Sequence, residues 1–141
     1  MLATLLVCLV IGISDGDSLT VQCGPTGHAQ LRQVRIHGID APERFQSFSE
    51  ASRDSLAALC LHAHARIRPL EIDGYGRLVA RLECREEDVA AHQVRNGMAW
   101  AYLRYARSRS DLAVLEAHAR RARVGLWADP HPVAPWDWRH R

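Results

Sequence analysis

The stretch Ser14-Asp15-Gly16-Asp17-Ser18 separates two apolar runs, Val7 to Ile13 and Leu19 to Cys23. Runs of this length suit half-buried strands, and a glycine at the centre of the break can take the positive φ of a tight turn. The reading is a β-hairpin with carboxylates at its tip. Working outward, Gln30 to Ile39 forms a third strand, stopped by Pro42, which pushes Ala41 toward an extended conformation. Asp40 and Glu43 then fall in a loop at a strand end, within Arg35-Ile36-His37-Gly38-Ile39-Asp40-Ala41-Pro42-Glu43.

Ser47-Phe48-Ser49-Glu50 has the Ser-x-x-Glu form of a capping box, and Phe48, Ala51, Ser55, Leu56, Leu59 and Cys60 follow helical spacing to about Leu61. Ala65 to Ile72 reads as a fourth strand, edge-exposed or bulged at Pro69. Asp73-Gly74 turns it into a fifth, Leu78 to Leu82, with Arg77 just beyond the turn. Asp88 caps a short helix reaching Asn96, and Gly97 is its left-handed stop. A longer helix starts between Ser108 and Asp111, places Leu112, Leu115, Ala119 and Ala122 on one face, and ends at Gly125. The Pro- and Trp-rich tail, residues 128–141, reads as irregular. Five strands with a helix after the third fit an α+β class, a five-stranded OB-type Greek-key β-barrel with three helices. Residues 1–141 show no repeat or linker and read as one domain.

At 141 residues such a domain buries roughly 70% of its unfolded surface and needs neither disulfide nor structural metal to fold. The formal net charge is only +2, yet all 18 basic residues are arginine. A planar guanidinium favours bidentate contacts with phosphate. GC-rich coding would produce the same bias, so the charge balance permits nucleic acid without establishing it. Cys8, Cys23, Cys60 and Cys84 lack zinc spacing, which argues against a structural zinc site. They read as small buried apolar residues; disulfides stay open in an oxidising compartment, with the pairing undetermined. Leu2 to Ile13 is too short for a membrane-spanning helix and lacks a secretory leader's positive flank and cleavage signal.

Carboxylates gathered at loops can hold a hard divalent cation through oxygen, and guanidinium forks match phosphate oxygens two at a time. Asp17, Asp40, Glu43, Arg35 and Arg77 therefore point to metal-assisted phosphodiester chemistry. Each has a plain reading by itself. Asp15-Gly16-Asp17 alone is an ordinary turn, and Arg77 alone an exposed hairpin arginine. His62-Ala63-His64 lacks a third ligand nearby and reads as an exposed helix end. Trp100, Trp127, Trp136 and Trp138 read as core or tail anchors, and Arg120, Arg121 and Arg123 as complements to a helix C-terminus.

In combination, the chain resembles the thermonucleases, the staphylococcal nuclease-like family. The resemblance rests on Ser14 to Thr20, Val34 to Glu43 and Asp73 to Leu78, with weaker matches in Gly97 to Trp100 and Gly125 to Pro130. It implies an OB barrel with three helices, and calcium-dependent, sugar-nonspecific hydrolysis of DNA and RNA that leaves 3′-phosphate ends. Residue by residue, Asp17 and Asp40 match the calcium (Ca2+) carboxylates, and Ala41 the position lending a backbone carbonyl. Arg35, Glu43 and Arg77 match the catalytic trio. Tyr75 and Tyr105 match positions near the nucleotide pocket; packing against the barrel is an equal reading of Tyr105, with Tyr102 then its counterpart. Ser18 stands where threonine is common, Ala90 replaces an asparagine, and Arg85-Glu86-Glu87 lacks a glycine often found there.

The implied partners are DNA and RNA, single-stranded or frayed, with no membrane and a monomeric chain; the implied location is secreted or periplasmic. The rival reading is a noncatalytic OB-type module that binds nucleic acid or protein. Such a module is expected to lose carboxylates or arginines that are all retained here. A metal-dependent phosphodiesterase for small substrates is a third.

Overall fold

The computed structural model describes residues 4–25, 27–102, 104 and 107–141. Strands β1 (Leu6–Asp15), β2 (Ser18–Cys23) and β3 (Gln30–Ile36) form an antiparallel meander. On its other side β1 pairs with β5 (His64–Ile72), which pairs with β6 (Leu78–Cys84). β6 then runs parallel to β3, with Val34 opposite Leu78 and Ile36 opposite Ala80. The sheet thus closes on itself through this contact and gives the expected five-stranded OB-type barrel.

Strand alternation decides what fills it: Val10, Leu19, Val21, Val34, Ile36, Ile67, Leu78 and Leu82 are all buried. Register shifts in β1, between Val10 and Gly12 and between Ile13 and Asp15, mark bulges. Bulges increase local twist. They let the strand pair β5 through Leu6 to Leu9 and curl on along β2 to Asp15.

Helices α1 (Ser49–Cys60), α2 (Val89–Arg95) and α3 (Ser110–Ala122) add Leu56, Leu59, Val89, Val94 and Leu112 to the same core. Asp88 caps α2 by accepting the Ala91 N–H at 2.9 Å, and Gly97 follows at φ 67°. Among the described residues no helix is long and apolar enough to cross a membrane.

Several local expectations give way. The third strand ends at Ile36 because Gly38, at φ 90°, turns the chain. Ile39–Asp40 instead forms a separate β4. The predicted capping box does not form: Phe48 occupies the N-cap position at φ 68°, and no side chain caps α1. The helix starts two residues after Ser47, which remains exposed.

Pro69 does sit at a register irregularity, past the last β5 residue bonded to β1, where its missing N–H costs no ladder bond. Arg85 and Glu86 form the two-residue turn between β6 and β7 (Glu87–Asp88) at φ 51° and 68°. Glycine would take both conformations without strain. α3 stops at Ala122, with Arg123 in the left-handed conformation, rather than at Gly125, and Ala122 is exposed.

The cysteines are not free apolar residues. Cys8 bonds Cys23 and Cys60 bonds Cys84. Strand register places the first pair opposite each other, with Cα atoms 4.6 Å apart, within disulfide reach.

The tail is not irregular either. After a 3-10 turn at Gly125–Ala128, residues Pro135–Arg139 form α4, with proline at its start where a missing N–H is harmless. Trp136 packs edge-on against Trp100 at 5.4 Å, and Trp100 against Trp127 at 4.5 Å. Ala134 and Leu126 complete this second apolar cluster.

Gly16 corrects the first turn argument, because it does not adopt a positive φ. A Cβ there would lie 1.7 Å from Ser52 Oγ and 2.9 Å from Ala41 Cβ, so the glycine permits close approach of the hairpin tip to α1. Gly16→Ala is therefore expected to cost about 1–3 kcal/mol through overpacking. Urea unfolding measures it, and an unchanged midpoint would refute the steric account.

Candidate active site

The hairpin tip turns the Asp17 carboxylate inward, leaving the residue 6% exposed. Its Oδ2 accepts the Ala41 N–H at 2.8 Å, and its backbone carbonyl accepts the Ile36 N–H at 2.8 Å. Asp15 shapes the turn, its Oδ1 accepting from the Asp17 N–H at 3.1 Å and the Ser18 hydroxyl at 2.9 Å. Asp40 lies on β4, held by an antiparallel pairing with β8 (Trp100–Ala101), and is 1% exposed.

Arg35 stands opposite Ser18 in the β2–β3 register. One of its terminal nitrogens, Nη2, lies 3.5 Å from Asp17 Oδ2 and 3.7 Å from Asp40 Oδ1. Its Nη1 donates to the Ile36 carbonyl at 2.8 Å, which fixes the fork. The Glu43 N–H donates to Gln46 Oε1 at 2.9 Å, placing this half-buried acid beside Asp40.

Arg77 comes from the opposite hairpin. Asp73 accepts the N–H groups of Tyr75 and Arg77 on one oxygen, both at 2.9 Å, and Arg77 Nε on the other at 2.8 Å. One carboxylate therefore forms the turn and aims the guanidinium.

Arg35, Asp17, Asp40, Glu43 and Arg77 all line one cleft of about 930 Å³. Tyr75 lines it too, with Arg77 over its ring at 5.4 Å, and so does Tyr102. Tyr105 lies outside the described residues. Ala41 does not line the cleft; its side chain is buried and its N–H donates to Asp17.

Three participants have no local sequence signal. Gln93, fully buried on α2, donates its amide Nε2 to the carbonyls of Gly16 at 2.8 Å and Ser52 at 3.0 Å. It ties the hairpin tip to α1. Ser52 donates its hydroxyl to the Met98 carbonyl at 2.6 Å, extending the tie toward β8. The third is Arg139 of α4, whose Nη2 and Nη1 meet Asp40 Oδ2 and Oδ1 at 2.7 and 3.2 Å. Nη1 also donates to Glu43 Oε1. Arg120 sits in the last turn of α3 as expected, and there lies over the Trp127 ring at 4.2 Å and pairs with Glu116.

With this geometry in view, residues 33–129 match the family described as staphylococcal nuclease homologue. The chain belongs to that family. It is 38% identical to the protein ParB of Escherichia coli, over 92% of this chain and 77% of the relative. It is 36% identical to an uncharacterized endonuclease of Haemophilus influenzae, over 95% of this chain and 73% of the relative. It is 34% identical to the micrococcal nuclease of Shigella flexneri, over 92% and 78% of the two chains.

For a staphylococcal nuclease homologue the electrostatics of the cleft raise the question of a cation. Asp15, Asp17, Asp40, Glu43, Glu71 and Asp73 face it against Arg35, Arg77 and Arg139, six acids to three guanidinium groups. Such an excess of acids over guanidinium groups disfavours an anionic phosphodiester. Among the described residues no three acidic, imidazole or thiol groups converge as a ready-made metal cage. Two hard carboxylates sharing one arginine nitrogen are nevertheless the oxygen donors that calcium's flexible coordination accepts. The donor set fits that ion.

Burial pushes the Asp17 carboxyl well above the usual carboxylate range; Arg35 opposes the shift and the Asp15 charge adds to it. Burial acts upward on Asp15 too, but hydrogen bonds from Asp17 and Ser18 outweigh it and hold Asp15 below its ordinary value. The folded state thus binds the Asp17 proton more tightly than the unfolded chain does. Stability on this account is fully present below the unfolded carboxylate pKa and is lost as pH rises through the raised folded value. Asp17→Asn keeps an acceptor for Ala41 and removes the buried charge. It is expected to stabilise the metal-free protein at neutral pH by roughly 1–3 kcal/mol, an advantage that disappears in acid. Parallel urea titrations at neutral pH and below the carboxylate range check this. An advantage that persists undiminished in acid would show another cause.

Proposed function

We propose that the chain is an endonuclease, a calcium-dependent and sugar-nonspecific enzyme that hydrolyses DNA and RNA to leave 3′-phosphate ends. The observation that carries this reading is the meeting of Asp17 and Asp40 at Arg35, in the cleft that also holds Glu43 and Arg77. Membership of a nuclease family and relatives named as nuclease and endonuclease support it. A noncatalytic module would need neither this complete set nor its convergence.

In this reading Asp17 and Asp40, with the Ala41 carbonyl, hold the calcium ion. When bound, the ion offsets phosphate charge and polarises a phosphoryl oxygen. Glu43 accepts a proton from water as the water oxygen bonds to phosphorus; the P–O5′ bond breaks and the released 5′-oxygen takes a proton from solvent. Arg35 and Arg77 receive the charge that builds on the phosphoryl oxygens. Asp73 holds the Arg77 fork ready, so little reorganisation accompanies the step. Tyr75, exposed at the mouth, offers a ring face on which a base stacks without regard to sequence. Such stacking suits single-stranded or frayed substrates. The disulfides suit an oxidising, secreted or periplasmic compartment.

Digestion of single-stranded DNA and RNA with calcium or with chelator, followed by end-group analysis, tests the reading. Cutting is expected with calcium alone and with 3′-phosphate ends; undiminished cutting in chelator would sink the metal mechanism. Glu43→Gln should lower kcat about 10²–10⁴-fold with little change in substrate affinity. Arg35→Lys and Arg77→Lys should each lose about 10²–10³-fold, because an ammonium lacks the planar fork. Wild-type turnover in either lysine variant would overturn its assignment.

A further inference from the structure

Arg139 lies 99 residues from Asp40 in sequence, yet its fork binds that carboxylate through both oxygens and reaches Glu43 as well. The placement is built from several contacts. Pro135 and Ala134 are buried at the start of α4, and Trp136 lies edge-on to Trp100, the residue paired with Asp40 across the β4–β8 ribbon. Trp136 also meets Tyr102 at 5.2 Å. Gln46 joins the two partners directly, accepting the Glu43 N–H and donating its amide to the Val133 carbonyl just before α4. Neighbouring elements thus deliver the guanidinium to the carboxylates.

We propose that Arg139 is a tethered cation that occupies Asp40 and Glu43 until a divalent ion takes Asp40 from it, so that α4 acts as a metal-displaceable latch on the active cleft. The inference rests on the calcium reading of Asp17 and Asp40.

Three observations carry it. Both Asp40 oxygens are occupied by the fork, so a cation binding Asp40 must compete with it. The same guanidinium also holds Glu43, so one side chain engages both the carboxylate assigned to the metal and the one assigned to water. The pair is also asymmetric. The Asp40 side chain is 2% exposed whereas that of Arg139 is 38% exposed, so the arginine can move into water and the aspartate cannot. Arg139 is the last residue of the five-residue α4, and among the described residues its side-chain hydrogen bonds go to Asp40 and Glu43, neither of them on a barrel strand.

Calcium binding to the full chain, measured by isothermal titration at neutral pH, tests the latch. Arg139→Gln should bind calcium at least about fivefold more tightly than wild type, the lower end of ordinary coupling between sites, with Arg139→Lys in between. Arg141→Gln serves as the charge control: it removes an exposed arginine that lies over Trp138, two residues away, and should leave affinity within about twofold of wild type. Tryptophan emission gives a second readout. Calcium should shift it in wild type as α4 moves with Trp136 and Trp138, and shift it less in Arg139→Gln.

Equal or weaker calcium binding by Arg139→Gln overturns the latch while the metal reading stands. Equal tightening by Arg141→Gln also overturns it, because general charge would then explain the effect. No calcium binding by wild type or by Arg139→Gln defeats the metal reading and the latch together.

Discussion

A carboxylate buried at a hairpin tip must find its partners outside its own hairpin, and in this protein that requirement joins the barrel to its active loop. Asp17 uses its side chain to accept the Ala41 N–H and its backbone to accept the Ile36 N–H. The two bonds fasten the β1–β2 tip to both ends of the segment in which Gly38 reverses the chain. Asp40 lies inside that segment, so its position follows from how Asp17 is satisfied. Gly16 allows the tip to reach α1, and Gln93 holds it there from α2. The proposed metal carboxylates are therefore positioned by barrel, helix and loop before any ligand arrives, the condition under which fixed charges stabilise a transition state.

That preorganisation has a thermodynamic cost that the sequence of elements helps to bear. Burial disfavours an ionised Asp17, and the nearby Asp15 adds to the penalty. Closure of the barrel through the parallel β3–β6 contact supplies a frame in which neither strand can slip to relieve the strain of charge. A slip of one residue would send every inward side chain of a strand to the opposite face. The disulfides add constraint near this frame, one between β1 and β2 and one between α1 and β6. Arg77 follows a different route to the cleft, because its orientation comes from within its own hairpin through Asp73.

What could be read along the chain was what local chemistry decides. Short apolar runs bounded by turn residues marked the five barrel strands, because run length and turn chemistry are both local. Asp88 with Gly97 marked α2, because cap and stop are both local. The motifs around Asp17, Arg35, Asp40, Glu43 and Arg77 were visible, and the fold brings all five to one cleft. Features decided by distant neighbours were not visible. Gly16 looks like a turn glycine, whereas its need for space comes from Ser52, 36 positions later. Gln93 looks like one of several polar residues on a short helix. Cys8 and Cys23 become neighbours through strand register, and α4 becomes a helix because Trp136 has Trp100 to pack against.

The arrangement of cations around Asp40 shows how folding and the proposed chemistry draw on the same oxygens. An anion 1% exposed cannot remain unpaired through folding, since several kcal/mol of lost hydration must be offset by an opposite charge at close range. Arg35 cannot do this alone: it is shared with Asp17, and its closest approach to Asp40 is 3.7 Å, beyond an ordinary hydrogen bond. Arg139 completes the pairing at 2.7 Å. A residue fixed in the barrel could have done so permanently, and the site would then resist any metal. Placing the guanidinium instead on a short helix, with its own side chain partly in water, satisfies Asp40 during folding and leaves the pairing exchangeable afterward. A tail element is thus the suitable carrier for this charge, because it can yield without disturbing the strands that hold Asp17, Arg35 and Asp40 in place.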